Sequence, residues 1–168
     1  VKPDKIDPIK LNVMKMQAGD PLVITGKIAY NFIKAEAEMD GKAVFLGNEE
    51  QDITKDNVQK AKEILILARS KGIRYILPID HIQTDNIKKP DPEKTRPTQG
   101  VNIEKGYWGG DIGPKTRQLI REAAKDVKLV FKNGTDGVYK KELLAEGTRD
   151  IVKLLAELRR QGVEVIVG

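Results

Sequence analysis

"LVITGKIAYNFIKA", residues 22–35, changes its pattern partway along. Leu22, Val23 and Ile24 form an unbroken apolar run, as in a strand buried on both faces. Thr25-Gly26-Lys27 interrupts it, and a helix is predicted over about 27–38. A strand that feeds directly into a helix is the first half of a βαβ unit. The fold then turns on whether the rest of the chain repeats that step.

It does. Apolar runs recur at 74–77, 129–131 and 163–167, with a weaker candidate at 43–46. Helical patterns lie between them. Residues 57–71 carry Val58, Ala61, Ile64, Leu65 and Ala68 at helical spacing, and Gly72 supplies a stop. Residues 114–125 open on Pro114, at the first helical position, where a missing N–H costs nothing. Leu119, Ile120 and Ala123 make the inner stripe of that helix. Residues 141–161 place Leu144, Ile151, Leu155 and Leu158 on one face and end at Gly162. Alternation of this kind predicts an α/β domain over residues 1–168: a doubly wound, mostly parallel, Rossmann-like sheet with helices on both faces. Residues 84–107 break the rhythm with three prolines and many charges. They read as an extended excursion or an edge hairpin.

Composition narrows the chemistry. The chain has no cysteine, so disulfides and thiolate metal sites are excluded. His81 is the only histidine, which removes His-cluster metal sites and a Ser-His-Asp triad. No apolar run approaches the roughly 18 residues of a membrane helix, and no secretory or transit signature opens the chain. A reducing, cytoplasmic setting fits. The net charge of +5 would favour a phosphorylated ligand or nucleic acid, but the lysines are scattered among Glu and Asp on solvated helix faces. Only 5% of residues are aromatic and none interleaves with a basic stripe, so nucleic-acid binding is not expected. The chain opens on Val1 rather than Met and closes on Gly168 directly after an apolar run, as a piece of something longer would.

In doubly wound sheets ligands bind beyond the carboxyl ends of the strands. Thr25-Gly26-Lys27, Pro78-Ile79-Asp80-His81 and Lys132-Asn133-Gly134-Thr135-Asp136-Gly137 are those exits. Free backbone N–H groups at helix starts attract anions there, and Lys27 and Lys132 add charge. Neither a Walker A loop nor G-x-G-x-x-G is present. "NGTDG" also reads as a structural turn, and His81 as a strand-end residue with a local hydrogen bond. Asp111 is a candidate metal ligand or, more simply, a helix cap or loop brace. Trp108 reads as a packing lid.

One run, "GYWGGDIGPKT" at 106–116, is too specific for an ordinary loop, and it resembles G-W-M-G-L-D-I-G-P-K-T of phosphoglycerate kinase. The likeness extends in order over nearly the whole chain, to that family's C-terminal nucleotide-binding domain. "DKI" at 4–6 is similar to the end of A-K-V-x-D-K-I, and residues 22–35 resemble L-L-I-G-G-G-M-A-Y-T-F-L-K-A. "ILPID" at 76–80 resembles L-P-V-D. "FKNGTDGVYK" at 131–140 resembles V-W-N-G-P-M-G-V-F-E, and "LAEGT" at 144–148 resembles F-A-E-G-T. The resemblance implies phosphoryl transfer between 1,3-bisphosphoglycerate and ADP, ADP or ATP with Mg as cofactor, and a separate N-terminal domain that carries the acid substrate. Catalysis of this kind is mainly positioning and charge neutralisation.

Carried over residue by residue, the resemblance implies a nucleotide site at Lys5, Thr25, Gly26, Lys27, Gly110, Asn133, Gly134, Thr135 and Lys140. Lys5 matches a phosphate-contacting lysine, while Val1 stands where its companion is expected and Lys2 misses the register by one. Gly26 matches an adenine-pocket glycine whose flanking glycines are here Thr25 and Lys27. The leucine that lines the adenine pocket is Gly110. Asn133 and Gly134 are kept, the proline after them is Thr135, and the acid that holds the ribose is Lys140. The G-G-G-D-[ST] turn, whose Asp binds Mg, would begin at Gly168. No residue of this chain is expected to be catalytic or to bind metal on its own. The departures gather around the nucleotide, which leaves two readings: a nucleotide-binding half of the kinase, inactive alone, or a non-catalytic domain that serves structure or a protein partner.

Overall fold

The computed structural model describes residues 6–168. Helix α1 (Ile6–Lys15) leads to strand β1 (Pro21–Val23), then helix α2 (Ala29–Met39), a 3-10 turn (Gly47–Asp52) and helix α3 (Lys55–Ser70). Strands β2 (Arg74–Ile76), β3 (His81–Thr84), β4 (Arg96–Pro97) and β5 (Trp108–Ile112) follow. The chain continues through helix α4 (Pro114–Ala123), strand β6 (Leu129–Lys132), a second 3-10 turn (Glu142–Leu144), helix α5 (Glu146–Arg160) and strand β7 (Glu164–Val167).

The parallel pairs are β1 with β2 and β6 with β7. Side chains on these strands alternate between two cores. On β2, Tyr75 packs with α1, α2 and α3, whereas Ile76 packs with Ile112, Ile120, Ile151, Leu154 and Leu158 from β5, α4 and α5. Helices therefore cover two faces, the doubly wound arrangement the alternation predicts. The first core is the larger. Its centre is Phe32, Leu46, Ile64, Leu65 and Ile103, all fully buried. On the β6–β7 ribbon, Val130 and Val165 face α5, while Leu129, Phe131, Ile166 and Val167 stand exposed.

Three expectations need correction. No strand forms at 43–46; Leu46 makes only an isolated parallel bridge to Ile103. The 141–161 helix starts late, at Glu146, because residues 142–144 close a 3-10 turn first. The 106–116 corner contains a strand, β5, which joins β3 and β4 in an antiparallel sheet of order β4-β3-β5. Its glycines are packing requirements. A Cβ on Gly109 would strike the Tyr30 ring, and one on Gly110 would strike Leu144. The 84–107 stretch places β4 on the sheet edge, with Pro97 where a missing N–H is tolerated. It then returns Ile103 to the core.

Local chemistry sets the element ends. Thr54 caps α3, its hydroxyl accepting from the Asn57 N–H at 3.2 Å, which starts the helix two residues before its apolar stripe suggests. Gly72 adopts φ 69°, where a glycine carries no Cβ penalty, and turns the chain into β2.

Candidate functional site

Two buried carboxylates set the stage for the strand exits. Asp80 follows β2 and lies wholly inside the protein. It accepts from the Lys115 N–H (2.9 Å), the Thr116 N–H (2.8 Å) and the Thr116 hydroxyl (2.7 Å). These are orphan donors in the first turn of α4, so Asp80 caps that helix from another segment. No side chain fits at Gly113, because the Asp80 carboxyl fills the place of its Cβ. Asp111, at the end of β5, does the same for α5 by accepting from the Gly147 N–H at 2.6 Å. Of the two readings open for Asp111, the brace is what the structure shows, on a helix other than the one that follows it.

The rim lies beside this frame. After β1 the chain passes through Thr25 into Gly26, whose φ of 71° favours glycine. A Cβ there would also lie 3.1 Å from the Thr135 carbonyl oxygen, so the β1 and β6 exits touch. The Thr25 hydroxyl crosses that contact to donate to Asp136 Oδ1 at 2.6 Å. Asp136 Oδ2 sits 2.9 Å from Lys132 Nζ, close enough for an ion pair although not aligned as a hydrogen bond. Behind Asp136, the Val138 N–H donates to the Gly110 carbonyl at 3.0 Å, tying the β6 exit to β5. The Gly168 N–H reaches the Lys132 carbonyl at 2.8 Å, bringing the β7 exit to the same edge.

The residues implied at the nucleotide site thus divide. Thr25, Gly26, Gly110, Asn133, Gly134 and Thr135 fall on or just behind one rim. Asn133, Gly134 and Thr135 are exposed, and a Cβ on Gly134 would meet open space. Gly110 is buried beneath, and the side-chain room that a leucine would need there is held by Leu144. Lys27 turns aside to Asp52 at 2.5 Å. Lys140 is exposed, its ammonium 6.0 Å from the ring centre of Tyr139, with no contact to the rim. Lys5, like Val1 and Lys2, lies outside the described residues.

Under the rim sits a second polar group. Glu49, from the first 3-10 turn, accepts from the Gly109 N–H at 3.2 Å, while Tyr30 donates to the Gly109 carbonyl at 3.0 Å. Burial pushes the Glu49 carboxyl up to about 7, with Lys27 and the Gly109 N–H opposing the shift. Burial likewise raises Asp111 to about 6 against the Gly147 and Ile112 N–H groups. The Tyr30 hydroxyl is pushed well above its ordinary value by burial, then by Glu49 and Asp111. His81 is buried, its ring within 3.0 Å of the Val101 carbonyl, and burial lowers it to about 4. It is thus a neutral strand-end residue with a local hydrogen bond. Sequence reasoning names Asp80 and Asp136 only as members of strand-exit runs, without a role, and misses Glu49. Nothing in the acidic run "NEEQD" singles out Glu49, and Asp136 sits inside an ordinary turn signal. Among the described residues no His, Asp and Glu cluster is arranged to hold a metal ion, and no helix is long and apolar enough to cross a membrane.

Comparison with known proteins completes the picture. Residues 2–168 match the phosphoglycerate kinase family model. The phosphoglycerate kinase of Clostridium perfringens is 37% identical over 150 residues, 88% of this chain and 35% of that protein. The Clostridium kluyveri enzyme is 34% identical over 163 residues, 95% of this chain and 37% of that protein. The chain therefore spans little more than a third of the length of these relatives. The phosphoglycerate kinase structure from Coxiella burnetii superposes with a TM-score of 0.76 at 21% identity, covering 98% of this chain and 39% of that one.

Proposed function

Since the chain belongs to the phosphoglycerate kinase family, we propose that it is the nucleotide half of a two-domain phosphotransferase. It would receive ADP or ATP at the rim formed by Gly26, Gly110, Asn133, Gly134 and Thr135 and be inactive alone. The observation that carries this reading is the approach of the β1 and β6 exits, with the Gly26 backbone against the Thr135 carbonyl. Bare backbone at Gly26 and the open surface at Gly134 suit a flat base and a phosphate chain. The acid substrate would come on a separate N-terminal domain, and the setting would be the cytoplasm. The described residues offer no acidic cage for Mg, so the ion would arrive on the nucleotide's phosphates. What this chain supplies is shape and charge: Lys132 beside the phosphate path, and Asp80 and Asp111 holding α4 and α5 in place behind the rim.

A second reading rests on one observation. Thr25, Asp136 and Lys132 already join across the rim, and Leu144 fills the room next to Gly110. A domain closed in this way would serve structure or a protein partner. Titration calorimetry with ADP, with and without Mg, separates the two. The first reading expects saturable binding and a rise in Tm, and no heat and no rise would leave the second. Replacing Thr25→Gly, Lys27→Gly and Lys140→Glu together should tighten ADP binding, and unchanged calorimetry would remove these positions from the site.

A further inference from the structure

We infer that Asp136 is an internal competitor for the phosphates: it holds Lys132 and Thr25 in the place a phosphate group would take, and so sets how tightly the rim binds an anion. The inference rests on the nucleotide reading and assigns its regulation to one side chain.

Two ion pairs involve rim lysines, and they are not equal. Lys27 and Asp52 have side chains 52% and 35% exposed. Water screens such a pair, and its net worth is near zero. Lys132 and Asp136 are 15% and 3% exposed. There the attraction is felt at much lower dielectric, so any other anion has to compete with Asp136 for Lys132. Asp136 is also fixed from two further directions. The Thr25 hydroxyl donates to Oδ1 at 2.6 Å, and the Asp136 N–H donates to Thr148 Oγ1 at 3.3 Å in the first turn of α5. The carboxylate therefore joins the β1 exit to the β6 exit, and the backbone N–H of the same residue ties it to α5. Lys132 is held by charge alone. Its ammonium is near Oδ2 but not aligned to donate, so that oxygen is left without a hydrogen bond. A phosphate group carries more negative charge and more acceptor oxygens than a carboxylate, and it would draw the ammonium away. The loser would be Asp136, left buried and unpaired, which is a direct penalty on binding.

Asp136→Asn removes the charge, keeps the shape and keeps an acceptor for Thr25. Calorimetric ADP binding should tighten about tenfold, while adenosine, which lacks phosphate, binds as in the parent. The gain should vanish in the double variant Asp136→Asn with Lys132→Met, since it acts through the released ammonium. If the parent shows no ADP binding and D136N does, the competitor role stands and the parent is simply closed. Equal binding of ADP by parent and D136N overturns the competitor role and leaves the nucleotide reading intact. Silence from both overturns both. A gain that survives the loss of Lys132, or that extends to adenosine, also overturns it, because the effect would then be one of shape. Thr25→Val, which frees Oδ1 without touching the ion pair, should give less than half of the D136N gain. A Thr25→Val gain equal to that of D136N would transfer the role to the hydroxyl contact.

Discussion

The two acid-bearing regions at the carboxyl ends of the strands behave in opposite ways. At the Asp80 and Asp111 corner, each carboxylate meets backbone N–H groups of a helix start and is enclosed by glycines with no room for a side chain. At the rim, Asp136 meets a hydroxyl and an ion-paired lysine beside exposed Asn133 and Gly134. The runs "ILPID", "GPKT" and "AEGT" belong to the first region. Thr25, Gly26, Asn133, Gly134 and Thr135 belong to the second. Acids that satisfy backbone are scaffold, and their replacement would undo two helices. Acids that satisfy side chains can be exchanged with a change of binding rather than of fold.

The sharpest break of that contrast is Asp80→Ala. It leaves the Lys115 and Thr116 N–H groups of α4 without their acceptor, while the Thr116 hydroxyl keeps the Asp80 carbonyl, and urea unfolding should show a loss of about 3 kcal/mol. A loss under about 1 kcal/mol would mean that the corner is not scaffold. Next comes Gly110→Leu, which forces a side chain into the space of Leu144 and should cost about 2 kcal/mol. Adding Leu144→Ala should recover part of that cost, because the two positions share one volume. Strict additivity of the two losses would show that they do not.

A third test uses pH. Burial raises Glu49 from an ordinary value to about 7, so the folded protein holds that proton more tightly than the unfolded chain. Stability from this group is present at low pH and is lost as pH rises from the unfolded value near 4.5 toward 7. Glu49→Gln should therefore gain on the parent by roughly 2 kcal/mol between pH 5 and 8. A constant difference across that range would place the Glu49 carboxyl in water. The smallest effect belongs to Lys27→Ala measured at pH 5, where Glu49 holds its proton and the exposed pair with Asp52 is what is lost; it should shift stability by less than about 0.5 kcal/mol. A larger shift would put Lys27 on the scaffold side of the contrast.

Much of this fold is legible before any coordinates. Leu22 to Ile24 and the run at 129–131 announce strands by continuous apolarity, and Pro114 marks the start of α4 by its missing N–H. The errors share a cause. The strand through Gly109 and Gly110 goes unread because the need for bare backbone there comes from Tyr30 and Leu144, distant in sequence. The start of α5 is misplaced because its cap, Asp111, lies outside the helix and its approach. The rim residues are named by family likeness, whereas the clasp across them joins Thr25 to Asp136, a pairing no local pattern encodes. Local rules find elements, and only three-dimensional packing shows which polar groups meet.

The bare side of the β6–β7 ribbon carries a practical consequence. Leu129, Phe131 and Ile166 are exposed together on one face while the two strands are paired with each other. A fluorescent dye such as anilinonaphthalene sulfonate lights up on apolar surface and is commonly taken as a sign of a loosened, molten interior. This chain offers such a surface while natively ordered, so dye emission from it reports an uncovered ribbon, and near-UV circular dichroism is the measure that tells native from molten.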